Sequence, residues 1–513
     1  MPDAVKPGVT DRTAFWLGFR AAAVVAFAVA AAVLLRHQSL KTPLVHGDAW
    51  EYWYQTESFR RHGTPELRPE VQKAVGDEAS RWGLSSDPQP PYAYAVTPTG
   101  RWYGVHFWAY ALSVVPAAEY LHLTGGTVLI APGLANAGWF VLAIGFVLFG
   151  SAAPPGQRLA LAGLAAVGPV LWYLSWPGAE VFSWALALVS VAAYRDRRYG
   201  LAGLAAGLAS TQNPPVAFLG AAAVLAAAWE RDWRSTVVAF AGSAVSLVPF
   251  AFYLHHFGKP NLIAAEFATA NSISWARTWG LATDLNQGLF PYAPLLVVGA
   301  VAGAVRLAVL GRVRGLLLVG AGLAMVVGVQ VAHNWNSDGV GVQRYLVWMI
   351  PVAAGVAVEG LGGRRAVAFA AVAVVTHAVV LYGIDRTQVI RHGYLTHTAI
   401  AEWALTHHPQ LYAVEPEVFV ERQRHKDDWP HTPSELPIGF ATPDGEVKKL
   451  LLDAESVERI GQRYEVDPEY LSVLRERAAG ESGLFYAHPP AGAVRARSPA
   501  AVAGPVGTKA EER

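Results

Sequence analysis

Long apolar runs separated by short polar breaks set the pattern of this chain. The runs fall near 15–35, 105–122, 127–150, 158–175, 178–194, 201–229, 235–256, 291–310, 315–332, 346–361 and 366–383. About 20 apolar residues cross a bilayer core as a helix, so the pattern predicts an all-α polytopic membrane protein. The first run is longer than the apolar core of a signal peptide. Arg36, His37, Gln38 and Lys41 follow it where a cleavage site would carry small residues, so it is expected to be an uncleaved first span.

The breaks decide how the runs thread. Arg195/Arg197/Arg198, Arg231/Arg234, Arg306/Arg312/Arg314 and Arg364/Arg365 form short basic clusters, and loops rich in Lys and Arg stay cytoplasmic. With residues 1–14 inside, the loop 37–126 is outside, and separate crossings at 105–122 and 127–150 would strand the Arg195 cluster outside as well. Parity returns if 105–122 is a helix lying along the outer surface. The residues Trp102, Tyr103, His106, Trp108, Tyr110 and Tyr120, with Glu119 among them, suit a membrane–water boundary. The run 201–229 is too long for one crossing and is broken by Thr211-Gln212-Asn213-Pro214-Pro215. Paired prolines remove backbone donors, so two shorter helices should meet at an outward-facing break.

The threading gives about 11 spans in a module over 15–383, with outer loops at 37–126, 176–179, 211–215, 257–290 and 333–345. Residues 384–488 are then a small extracytoplasmic region, with helical segments expected at 401–407, 446–463 and 468–479. The Ala/Pro/Gly/Arg-rich stretch 489–513 reads as a disordered tail.

Composition agrees. Hydrophobic residues make up 53% and charged residues 15% of 513, with mean hydropathy +0.28, too little charge to clothe a soluble protein of this size. A formal net charge of +1 gives no reason to expect nucleic acid as a partner. The absence of cysteine excludes disulfides and thiolate zinc sites. Neither a Walker A sequence, a dinucleotide glycine fingerprint nor HExxH occurs. His392, His397, His407 and His408 lack ligand spacing and read as surface histidines.

Four polar clusters fall on the side opposite the basic turns. In 45–54, Asp48 sits among aromatics just after the first run, placed to act as a general base. Asp48 with Glu51 three residues on is also the pattern of a helix capping box. In 97–108, Arg101 and His106 offer either phosphate contacts or plain membrane anchoring. Glu180, in the turn 175–180, is either a functional acid or a carboxylate favoured by a helix N-terminus. In 333–345, Arg344 is either a forked phosphate ligand or a snorkelling anchor.

Taken in order, an acid in the first outer loop, "GRWYGVHFWAYALSVVP", "SWPGAE", "GLASTQNPP" and "NWNSDGVGVQRYLVWMIP" form a recognisable series. The chain resembles, over about 10–385, the membrane glycosyltransferases of the GT-C fold, in the broad group of protein O-mannosyltransferases and bacterial aminoarabinose transferases. The resemblance implies a GT-C-like bundle in the bacterial cytoplasmic membrane. It also implies that a sugar passes from a polyprenyl-phosphate donor to an acceptor hydroxyl on a glycan, lipid or protein at the outer face. By that resemblance Asp48 is the base, with Glu51 beside it, and Glu180 is the acid between the third and fourth spans. Arg344, with Tyr345 packed beside it, Arg101 and His106 are the candidates for the donor phosphate. The chain departs from the group in carrying Asp48 alone in "GDAWEYW", where many relatives have adjacent acids. It also lacks a clear acidic pair of the kind that holds a divalent metal, so no metal and no cofactor are expected. The rival classes are a lipid or sugar transporter or flippase, disfavoured because no internal repeat appears, and a non-catalytic membrane scaffold.

Overall fold

The computed structural model describes residues 9–45, 47–84, 93–269, 272–332, 335–336, 339–383, 393–426 and 435–497. Helices dominate because the long runs are rich in Ala and Leu, good helix formers. Prolines are mostly kept to first turns, as at Pro132, Pro155, Pro294 and Pro351. After α1 (Val9–Gln38) comes a compact layer of α2 (Ala49–His62), α3 (Pro69–Arg81), the hairpin β1 (Tyr94–Val96)–β2 (Trp102–Gly104) and α4 (Ala109–Leu123). The bundle follows with α5 (Ala131–Gly145), α6 (Pro155–Ala166), α7 (Glu180–Arg195), α8 (Tyr199–Ser210), α9 (Ala217–Trp229), α10 (Trp233–Ser243) and α11 (Leu247–Phe257). Short helices α12 (Leu262–Phe267), α13 (Trp275–Thr283) and α14 (Leu289–Tyr292) lead to α15 (Pro294–Val309) and α16 (Val313–Gln330). A two-residue hairpin, β3 (Gly339–Val340) and β4 (Val342–Gln343), then feeds α17 (Arg344–Val347), α18 (Ile350–Leu361) and α19 (Gly363–Gly383).

Among the described residues, six helical stretches are long and apolar enough to cross a membrane: Ala21–Ser39, Val128–Gly150, Trp233–Phe257, Val313–Gln330, Arg344–Leu361 and Gly363–Gly383. A seventh arises if Pro155–Ala166 and Pro169–Ser175, bent by 61° at their junction, count as one. Others, such as the 12-residue α8 and the 16-residue α15, are apolar but shorter. Large apolar side chains on these helices face outward, among them Val25, Val33, Phe240, Val375 and Val379. Such faces suit lipid rather than water, and the build is that of an all-α membrane protein. Helix α7, buried along almost its whole length, lies at the centre and packs on α5, α8 and α18.

The basic turns gather at one end of the bundle. Arg195 pairs with Glu359 at 3.2 Å and donates to Gln157 at 2.7 Å. Arg314 donates to the carbonyls of Tyr194 and Arg195, and Arg306 to that of Gly360. Arg197 and Arg314 both approach Glu230. Glu180, Gln212 and Arg344 stand at the far ends of helices that start or finish in those turns.

Helix α4 stays at that far end. Near its start Tyr110 N–H donates to Gln212, and shortly after its end the Leu129 carbonyl accepts from the Trp53 indole. A helix is present in the stretch 105–122, but it begins at Ala109. Residues 105–108 form an irregular link that carries His106 into the site. The break in 201–229 falls where the prolines put it, between α8 and a short turn at Pro214–Val216 ahead of α9.

The carboxy-terminal region is folded and mixed. It has α20 (Ala399–His407), α21 (Pro416–Arg424), a sheet in the order β5 (Ile438–Ala441), β6 (Val447–Leu452), β8 (Phe485–Ala487), and a pair β7 (Tyr464–Val466)–β9 (Val494–Ala496). Between them lie α22 (Ala454–Arg459) and α23 (Pro468–Gly480). Two expectations change here. The stretch 446–463 is not one helix: Val447, Leu450, Leu451 and Leu452 are all buried in a central strand, and burial on both faces outweighs helical propensity. The tail does not begin at 489, since β9 closes on β7, and residues beyond 497 lie outside the described residues. Lys449 is buried in β6, donates to the Pro409 and Tyr412 carbonyls, and lies 4.0 Å from the centre of the Tyr486 ring. Burial pulls its amine down to about 8.

Because the chain has no cysteine, single cysteines can report sidedness directly. Arg234→Cys and Arg364→Cys should react with a membrane-impermeant maleimide from one face of sealed vesicles and Thr99→Cys only from the other. Labelling of all three from the same face would overturn the end-to-end arrangement.

Candidate functional site

Asp48 is the residue ahead of the first turn of α2, yet it makes no cap: its carboxylate bonds to no backbone amide of the helix. The capping-box reading of Asp48 and Glu51 is corrected by where both side chains go. Arg344 Nη1 donates to Asp48 Oδ2 at 3.2 Å, and His106 Nε2 lies 3.5 Å from the same oxygen. Glu51, almost fully buried, accepts the His106 backbone N–H at 2.8 Å, and its other oxygen lies 2.5 Å from His106 Nδ1. Gln55, one turn further, donates to Glu51 at 3.1 Å. Spacings of three and four residues put 48, 51, 52 and 55 on one face of a helix.

The link carrying His106 fits only because residue 104 has no side chain. A Cβ at Gly104 would come within 2.1 Å of the Gln55 amide nitrogen and 2.2 Å of Glu51 Oε1. The Tyr253 hydroxyl, reaching up from α11, donates into the Gly104 and His106 carbonyls. Arg344 arrives from the other end of the chain as the first residue of α17. Its guanidinium donates to the Tyr345 hydroxyl at 3.0 Å and lies 4.9 Å from the centre of that ring. Gln343 caps the short helix by accepting the Tyr345 N–H.

Glu180 is buried at the first position of α7. Gly178 is needed beneath it, since a Cβ there would meet Glu180 Oε2 at 2.4 Å and the Trp176 indole nitrogen at 2.5 Å. The wall between Glu180 and the Asp48 group is Tyr52, whose hydroxyl accepts from Gln212 at 3.0 Å. Tyr110 in turn donates to Asn136 at 3.1 Å, and Asn136 donates to the Trp176 carbonyl at 2.7 Å. Tyr52 lies within electrostatic reach of Asp48, Glu51, Glu180 and Arg344 together; burial, and then the three acids, hold its hydroxyl neutral well above its usual range.

The group of Asp48, Glu51, His106 and Arg344 holds two potential anions and two potential cations in a space that excludes most water. Burial works to raise Asp48, but His106 and Arg344 overcome it and leave the carboxyl below its ordinary range. Burial opposes protonation of His106, and Asp48 and Glu51 outweigh it, raising the imidazole to about 9. Burial pushes the Glu51 carboxyl upward, against the pull of His106 on its oxygens. Two carboxylates set against one imidazolium and one guanidinium sum to zero formal charge.

The structure thus brings together Asp48, Glu51, His106, Arg344 and Tyr345, with Glu180 across Tyr52. Arg101 is left out: it is exposed at the tip of the β1–β2 hairpin. His333, Asn334, Ser337 and Asp338 lie outside the described residues. Gln55, Tyr52, Asn136 and Gln212 join the site beyond the residues the sequence points to, and of these Asn136 carries a signal, a lone amide inside an apolar run. One ligand atom each from Asp48, Glu51 and His106 lies within 4.8 Å of the others, so this trio is the group among the described residues that could hold a metal ion. In the balanced state a cation gains little there unless His106 gives up its proton and Arg344 withdraws.

Because His106 is raised from 6.5 to about 9, its ion pairs contribute fully below about 6.5 and are lost as pH climbs through about 9. That contribution is on the order of 3 kcal/mol. The melting temperature of the wild-type protein should exceed that of His106→Asn at pH 6, and the gap should close by pH 10. A gap constant across that interval would show that His106 is not held as a cation. No known protein family, curated protein or solved structure matches the chain.

Proposed function

We propose that the chain is a membrane glycosyltransferase of the GT-C type. It transfers a sugar from a polyprenyl-phosphate donor to an acceptor hydroxyl at the outer face of a bacterial cytoplasmic membrane. The observation that carries the reading is the contact of Asp48 with Arg344 at the end of the bundle away from the basic turns. There an acid suited to take a proton meets a cation suited to take a phosphate. The threading of about 11 crossings belongs to the same reading. It is supported by the gathering of the basic turns at one end and by α4 beginning and ending at the other.

In the resting site Arg344 and Asp48 neutralise one another. The donor phosphate competes for the guanidinium, which makes forked, charge-assisted bonds to phosphate oxygens. Asp48 then loses its cation and gains an anion nearby, and both changes raise its basicity. The acceptor oxygen attacks the anomeric carbon and its proton passes to Asp48. The bond from that carbon to the phosphate oxygen breaks, and Arg344 stabilises the charge gathering on the departing polyprenyl phosphate. His106, gripped by Glu51 through Nδ1, turns Nε2 toward Asp48 and orients it. This role suits its contacts better than phosphate binding does. Glu180, across Tyr52, is the second acid and orients the acceptor.

The test is transfer of radiolabelled sugar from polyprenyl-phosphate donors, by purified protein in lipid, to a membrane-extract acceptor pool. Asp48→Asn should lower turnover by about 10²–10⁴-fold, the usual worth of a positioned base. Arg344→Ala should cost about 10²–10³-fold, as loss of a donor aimed at developing charge does. Full activity in both, from folded protein, would defeat the reading. Absence of transfer by the wild-type chain with every donor would favour a flippase. The charge balance around Asp48 also leads us to expect that a strong chelator leaves turnover unchanged; a loss restored by a divalent cation would reassign the trio as a metal site.

A further inference from the structure

We infer that the carboxy-terminal region is the device that sets Arg344 for phosphate, acting through Gln287. This rests on the reading just proposed.

Arg344 is poorly fixed by its own surroundings in the chain. The helix it opens has four residues and the hairpin before it pairs two residues with two. Neither element is stable by itself, since an isolated helical turn or two-stranded hairpin is marginal in water. What fixes the main chain from which the guanidinium reaches Asp48 and Tyr345 is its neighbour Gln343. The Gln343 backbone N–H donates to the Gln287 carbonyl at 2.8 Å, its Nε2 donates to the Trp335 carbonyl, and its Oε1 accepts from Tyr345.

Gln287 is itself held from outside the bundle. Its Oε1 accepts from Arg422 Nη2 at 3.0 Å and its Nε2 donates to the Asn336 carbonyl at 3.0 Å. Arg422, on α21, is fully buried and forks onto both oxygens of Asp284, at 2.8 and 2.5 Å. One residue before it, Glu421 accepts from Asn336 Nδ2 at 2.7 Å. Helix α21 therefore grips both strands of chain that flank the Arg344 hairpin, one through Asp284 and Gln287 and the other through Asn336. A buried guanidinium paired with a carboxylate is strongly bound to its partner, because separating the two leaves a bare charge. The grip is rigid enough to transmit position. Gln287 and Glu421 are positioning residues in this scheme, touching neither donor nor acceptor.

The experiment uses the full chain in lipid nanodiscs and polyprenyl monophosphate, without sugar, as the probe. Binding is measured for wild type, Arg344→Gln, Gln287→Ala and the double variant. Both single variants should weaken binding by tenfold or more, and the double variant should be no weaker than Arg344→Gln alone. Residues that act through one another fail to add in this way. Mere loss of stability would instead multiply with the arginine effect. Glu421→Ala and Glu421→Gln provide a second pair: the first should weaken the probe, and the second, which keeps an acceptor oxygen, should restore it. If Arg344→Gln loses the probe while Gln287→Ala and Glu421→Ala keep it, or if the losses multiply, the positioning role falls and the phosphate reading stands. If Arg344→Gln binds as wild type does, both fall.

Discussion

A charge taken out of water at the edge of an apolar bundle must find its opposite, and the cost of failing is several kcal/mol per ion. The architecture at the far end of this molecule follows from that requirement. Asp48 and Arg344 are 296 positions apart, so satisfying one obliges the first loop and the eighteenth helix's approach to meet. Glu51 and His106 close a second pair against the first, and the whole arrangement needs Gly104 to let the backbone in. The same rule operates at the other end. There the arginines finish the helices, donating to carbonyls that have no intrahelical partner, as Arg306 does to Gly360 and Arg314 to Tyr194. Both ends use ion pairs, Arg195 with Glu359 at one and Asp48 with Arg344 at the other, and the basic end adds these bonds from arginines to helix-end carbonyls.

This difference explains what was legible. The gathering of the basic turns could be read from the sequence, because where Arg falls between apolar runs is a matter of local composition. The break at Pro214 and Pro215 was equally plain. Asp48 and Arg344 could each be chosen as chemically suggestive, but nothing in a linear text brings them together. Asp48 followed by Glu51 did look like a cap, and a locally correct rule gave the wrong partner because a distant guanidinium and imidazole outbid the helix amides. Arg101 was drawn in by its nearness in sequence to His106, and the hairpin turns it away. Amides such as Gln287 and Gln343 carry no signature of role at all. Their importance is entirely in having two faces, one to give and one to accept.

The carboxy-terminal region shows the same limit from another side. Glu446 to Arg463 contains good helix formers, and a propensity argument favours a helix. Val447–Leu452 becomes a strand because it is covered on both faces, with Lys449 lodged among Tyr412, Phe419 and Tyr486. Tertiary burial outweighs local preference where a segment lies at the middle of a sheet.

The balanced charges of Asp48, Glu51, His106 and Arg344 have one further consequence. A set of fixed charges that sums to zero has a field that dies away quickly with distance, and salt shortens it further. A phosphate in solution would not be steered from afar. On the reading proposed above, the encounter is left to a lipid tail, which confines its headgroup to the plane of the leaflet and turns a search through volume into one over a surface. The cluster then has to discriminate only at contact, so abundant phospholipid headgroups can pass its rim without being drawn in.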